Sequence, residues 1–120
     1  MNLLTLEDEK FKKIKVQDRY VFKVKYISPL DRIAITQRRV RLQNGANIES
    51  FTAEEYNFFE SIAIIDVCTV EYPDEFKENL SCVNWPDIEV IIELSEKIRQ
   101  HTEDILSKLK KNKPVEGSSE

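Results

Sequence analysis

The chain has 120 residues, of which 41% are apolar and 33% charged, with a formal charge of −4; this fits one domain with a modest core and leaves little room for a second. Two glycines, Gly45 and Gly117, exclude a Gly-rich phosphate cradle of the dinucleotide or P-loop type. One histidine, His101, and two cysteines, Cys68 and Cys82, with no Cys-x-x-Cys pair, cannot assemble a four-ligand Cys/His zinc site.

At the start, Met1 to Leu6 is mildly apolar but runs straight into Glu7-Asp8-Glu9, the reverse of a secretory leader. Residues 1–10 are therefore expected to form a flexible N-terminus ahead of one globular domain over 11–111. Phe11 to Val16 and Tyr20 to Ile27 alternate apolar with basic residues around Gln17-Asp18-Arg19, the pattern of a β-hairpin. One face carries Tyr20, Phe22, Val24 and Tyr26; Lys23 and Lys25 lie on the other. Ser28-Pro29-Leu30-Asp31 then opens a helix, with Ser28 as cap, proline where its missing N–H costs nothing, and Asp31 at the positive dipole end. Asn44-Gly45 is expected to close it. Leu30, Ile33, Ala34, Gln37 and Val40 form its expected inward stripe, flanked by Arg41.

Thr52 and Glu55 make a capping box, with Phe51 and Tyr56 at the spacing of a hydrophobic staple. The helix they start should run from about Ala53 towards Tyr72 and stop before Pro73, although its β-branched later half blurs the end. Its apolar residues cover most of the wheel, which predicts the most buried helix. Pro73-Asp74-Glu75-Phe76 reads as a turn or a single helical turn. Asn84-Trp85-Pro86-Asp87 opens the last helix, with Asn84 as the expected cap. Along that helix Ile88, Ile91, Ser95, Ile98, Thr102, Ile105 and Leu109 alternate steps of three and four, a heptad seam diluted by Ser95 and Thr102. Residues 112–120 have nothing to bury and are expected to be a disordered polar tail. The fold class predicted is α+β, predominantly helical: a small N-terminal β-hairpin followed by three main helices around one core.

No catalytic constellation emerges. His101, between Gln100 and Thr102, is expected on the polar side of the last helix, and the acid pairs Glu54-Glu55 and Glu103-Asp104 have no nucleophile beside them. An enzyme is therefore not predicted, and neither a cofactor nor a metal is implied. Asp66, amid Phe59, Ile62, Ala63 and Val70 on the wheel, needs a partner if buried. A structural ion pair with Arg41 is expected, Arg38 being the second choice. Arg38 and Arg39, with Arg32, otherwise form a basic helix surface.

Charge is unevenly spread. Residues 10–41 hold eleven Lys and Arg against Asp18 and Asp31, whereas residues 42–112 hold six against fifteen acids. Such a split folds against itself, pairs with another copy, or offers a positive surface to a polyanion. The first two are favoured, because nucleic-acid binders usually keep the whole field positive. No apolar run reaches the roughly 20 residues that cross a bilayer, since Asp66 interrupts the longest, Ile62 to Val70. A soluble, intracellular chain with free, partly buried thiols and no membrane contact is expected.

The succession of motifs carries a resemblance. Val21-Phe22-Lys23-Val24-Lys25-Tyr26, a Ser-Pro helix start, Asp31-Arg32-Ile33-Ala34-Ile35 with Arg38-Arg39-Val40-Arg41-Leu42, and a glycine break come first. An apolar helix Phe59 to Val67, the turn Pro73 to Phe76 and a Trp-initiated helix Trp85 to Leu94 follow. In this order, over about residues 20–100, the chain resembles the tail assembly chaperones of tailed bacteriophages, each piece being weakly specific alone. The resemblance implies a non-enzymatic protein of the host cell cytoplasm that binds the long, helical tape-measure protein and keeps it soluble before tail-tube polymerisation. It further implies the short form of a pair in which a frameshift makes a longer one, and it transfers no catalytic residue. Helix-in-groove packing would give such a protein its means, and Ile91, Ile98, Ile105 and Leu109 are the first-choice partner contacts, the alternative being that they pack at home. Two other readings stay open: a nucleic-acid-binding accessory protein using Lys12, Lys13, Lys23, Lys25, Arg38 and Arg39, or a permanent structural tail component.

Overall fold

Alternation in the first strands is realised as an antiparallel hairpin in the computed structural model, which describes residues 10–43, 52–76, 82, 85 and 87–111. Strand β1 (Phe11–Val16) pairs with β2 (Tyr20–Lys25) in the register Phe11 with Lys25 through Val16 with Tyr20. Ile14, Val16, Phe22 and Val24 point into the core, while Lys12, Lys13 and Lys15 face water. The connecting turn lacks the usual glycine. Gln17 and Asp18 take φ of 56° and 51°, left-handed values that cost a residue with a Cβ about 1–2 kcal/mol each. Glu93 offsets part of that cost by accepting from the Gln17 N–H at 3.1 Å and from its side-chain amide at 2.9 Å.

Helix α1 (Pro29–Leu42) starts as the sequence predicts: Ser28 and Asp31 form a reciprocal capping box with proline in the first turn. Its rotation, however, departs from the expected one. The buried or partly buried line runs Asp31, Ile35, Arg38 and Leu42, and the expected inward residues Leu30 and Ile33 are 75% and 58% exposed, with Gln37 and Val40 also exposed and only Ala34 half-buried. Polar contacts decide this. Asp31 is held at the hairpin by Lys25 Nζ at 3.0 Å and by the Ser28 N–H and hydroxyl at 3.1 and 2.9 Å, and Arg38 reaches Asp66. With both ends of that line anchored, the apolar line is turned outward.

Helix α2 (Ala53–Cys68) carries the predicted Thr52/Glu55 capping box and buries Ser61 to Ile65 and Cys68. It stops four residues short of the expected Tyr72. Thr69, Val70 and Glu71 form β3 (Thr69–Glu71), which joins the outer edge of β2 antiparallel to give the sheet order β1-β2-β3. A β-branched pair next to an open strand edge gains more from the ladder than from another helical turn. A single 3₁₀ turn, Asp74–Phe76, follows. Phe76 then packs against Trp85 and Phe22, with ring centroids 4.6 and 5.5 Å apart, closing one end of the core.

Helix α3 (Ile88–Lys111) is the longest element. Asp87 lies just before it, its Oδ1 accepting from the Glu89 N–H at 3.0 Å. Val90, Ile91, Leu94, Ser95, Ile98, His101, Thr102 and Ile105 line its buried face, against the sheet and α2. Asn44, Gly45, Phe51, Asn84 and Pro86, to which roles were assigned above, lie outside the described residues, as do residues 1–9 and 112–120. The fold is α+β and mostly helical, with a three-stranded sheet where a hairpin alone was expected.

Candidate functional site

The buried carboxylate expected at Asp66 is paired, but with Arg38. Arg38 Nε donates to Asp66 Oδ2 at 2.9 Å, the Cys82 N–H donates to Oδ1 at 3.1 Å, and Arg41, the first choice from the sequence, is exposed. On the rotated α1, Arg38 lies on the line of Asp31 and Ile35, whereas Arg41 lies beside Leu30 and Gln37. Asp66 thus ties α1 to α2 and to the segment around Cys82. Cys82 Sγ lies 3.7 Å from the Ile62 carbonyl oxygen, and burial raises its thiol pKa above the ordinary value. Cys68, also a free thiol, is pushed by burial to about 12. Thiols held protonated in this way are poor nucleophiles.

His101 is buried, contrary to the expected polar-side placement. Its Nε2 lies 2.8 Å from the Lys10 carbonyl oxygen, an acceptor that requires the proton on that nitrogen. Together with Lys97 Nζ donating to the Lys15 carbonyl at 2.7 Å and the Ile27 N–H donating to Thr102 Oγ1 at 2.8 Å, this contact straps α3 along the hairpin. These polar groups are structural ties. Among the described residues no cluster of three or more His, Cys, Asp or Glu is placed to hold a metal ion, and no helix is long and apolar enough to cross a membrane.

Apart from Ile88, the heptad seam on α3 faces inward. Ile91, Ile98 and Ile105 are buried in their own domain, Ile98 completely, and Leu109 is half-buried. They are therefore not the contact surface that the seam's spacing suggested. The basic residues are also largely engaged at home: Lys25 with Asp31, Lys23 with Glu71 at 3.5 Å, Arg38 with Asp66, and Arg39 with Gln43 Oε1 at 3.2 Å while its guanidinium stacks 4.7 Å above the Tyr56 ring. Arg38 and Arg39 are accordingly not the open phosphate-binding surface expected of them.

Among the described residues, two apolar helix surfaces are open instead. The first is a groove of about 620 Å³ between the N-terminal halves of α2 and α3. Ser61 and Ser95 line it where larger side chains would fill it, and Ser95 satisfies its own hydroxyl on the Ile92 carbonyl at 3.0 Å. Phe58, Ile88 and Ile92 supply its apolar lining, the last two 52% and 43% exposed. Glu54, Glu55 and Glu96 set its charge; Arg99, which also lines it, lies 3.8 Å from Glu60. The second surface is the outward line of α1, where Leu30, Ile33, Gln37 and Val40 repeat the three-four spacing of a coiled-coil seam. Sequence reasoning identified this line as apolar and misplaced its direction. It treated Ser95 as a defect in the seam, although a small residue there is the one signal that a trough opens beside it. No family model, no curated protein and no solved structure matches the chain.

Proposed function

We propose that this chain is a tail assembly chaperone of a tailed bacteriophage, a non-catalytic protein of the host cell cytoplasm that binds the tape-measure protein and keeps it soluble until tube subunits polymerise around it. The groove between α2 and α3 carries this reading. A trough with small residues between two helices, with Ile88 and Ile92 open to solvent and Phe58 half-buried beside them, suits the apolar stripe of an amphipathic helix by helix-in-groove packing. Its modest size favours weak contacts that many copies make at once along a long helical client, which gives retention with release. The succession of motifs over residues 20–100 supports the same function. With Ile91, Ile98 and Ile105 in the core, client contact passes to Phe58, Ile88 and Ile92.

Co-expression with the tape-measure protein tests this. The wild-type chain is expected to move the client from the insoluble to the soluble fraction, and Ile92→Glu, with unaltered melting, to lose that effect. A client whose solubility is indifferent to the wild-type chain would overturn the proposal.

A further inference from the structure

The outward line of α1 and the groove between α2 and α3 are complementary halves, and we propose that they dock on each other between copies, α1 of one protomer lying in the groove of the next. Three features match. In size, Leu30 to Val40 spans about 15 Å of helix and Ile88 to Arg99 lines a trough along about 16 Å, at 1.5 Å per residue. In shape, a line at three-four spacing presents Leu30, Ile33 and Val40 as knobs to a channel with Ser61 and Ser95 among its lining residues.

In charge, the exposed ionised side chain bordering the outward line of α1, Arg41, is cationic, whereas Glu54, Glu55 and Glu96 make the groove acidic. A symmetric pairing of two α1 helices would bring like charges together, while α1 on the groove sets opposite charges side by side. The occupant is thus a second copy of this chain. Each copy offers one helix and one groove, so the contact is heterologous: a dimer leaves one of each unused, and the series either closes into a ring or extends. The same groove then serves self-association when no client is present and is vacated as client binds. That regulatory link rests on the function proposed above; the self-docking does not.

Sedimentation velocity on the full chain tests it. The wild type is expected to form oligomers that grow with concentration and shrink with added salt. Ile33→Glu on α1 and Ile92→Glu in the groove are each expected to stay monomeric with unchanged thermal melting, and their equimolar mixture to form a complex of one copy of each, because each variant retains the half that the other lacks. Arg41→Glu and Glu96→Lys, exposed charge reversals that spare the fold, are expected to weaken assembly singly and to associate when mixed. A wild-type chain that stays monomeric at near-millimolar concentration, or a mixture of the two isoleucine variants that stays monomeric, overturns the proposal. A monomeric wild type that still solubilises its client through Ile92 overturns self-docking while leaving the proposed function standing.

Discussion

Asp66 shows how much one buried side chain decides. It holds Arg38 of α1 and the backbone N–H of Cys82 on its two oxygens, so removing it strands a partly buried guanidinium and an N–H donor at once. Asp66→Ala is expected to destabilise by about 2–4 kcal/mol in chemical denaturation, somewhat under the loss for a fully buried pair because Arg38 keeps some contact with water. Arg41→Ala should change stability by less than about 0.5 kcal/mol; the reverse ranking of Arg38→Ala and Arg41→Ala would place the pair elsewhere. Asp31 adds a pH dependence. Burial opposes its charged form, but the Ser28 hydrogen bonds and the Lys25 ammonium outweigh burial and hold its carboxyl below the ordinary value of 3.8. A folded-state pKa below the unfolded one means that the unfolded chain takes up the proton first as pH falls. The stabilisation is therefore complete above the unfolded value and lost as pH drops through the folded one. Urea denaturation followed into the acid range should show a flatter acid limb for Asp31→Asn than for the wild type, and parallel limbs would show that Asp31 contributes nothing to it.

Among the elements, α3 gives the sharpest contrast between neighbouring isoleucines. Ile98 is fully buried and Ile92 lines the groove. Ile98→Ser should lower stability by at least about 3 kcal/mol through a cavity and a buried hydroxyl, whereas Ile92→Ser should stay within about 0.5 kcal/mol, both read from equilibrium unfolding. Equal losses would mean that the groove is filled from within. Much of each element was legible in the sequence, because caps and alternation act locally: Ser28 with Asp31, Thr52 with Glu55, and the period-two pattern of the hairpin need no knowledge of the rest of the chain. What the sequence hid depends on distant partners. The rotation of α1 is set by Lys25 and Asp66, which select the line through Asp31, Ile35 and Arg38 over a more apolar one. The end of α2 is set by the free edge of β2, and the burial of His101 by the carbonyl of Lys10, 91 residues away in the chain. The Gln17-Asp18 turn carries none of the usual glycine signal and is gripped by Glu93 from the far helix.

At the level of the whole molecule, the charge division in the sequence is partly resolved within the fold. Part of the basic third folds against the acidic remainder through Lys23 with Glu71 and Arg38 with Asp66, and Lys25 is paired with Asp31 within the third itself. Arg41 stays exposed beside the outward line of α1, and Glu54, Glu55 and Glu96 beside the groove, so opposite charges border the two open apolar surfaces. The candidate site was therefore legible in composition but not in position: the apolar line on α1 was found and its direction inverted, while on α3 the seam packs at home, the alternative the sequence left open, and the exposed Ile92 lay outside the seam altogether. On the function proposed above, the protein acts by covering another helix in its groove. Methyl-resolved NMR of the full chain during titration with an amphipathic helical segment of the tape-measure protein tests that directly. Groove docking predicts that the Ile88 and Ile92 methyl resonances shift saturably while those of Ile98 and Ile105 hold still; a titration that leaves Ile88 and Ile92 unmoved would contradict it.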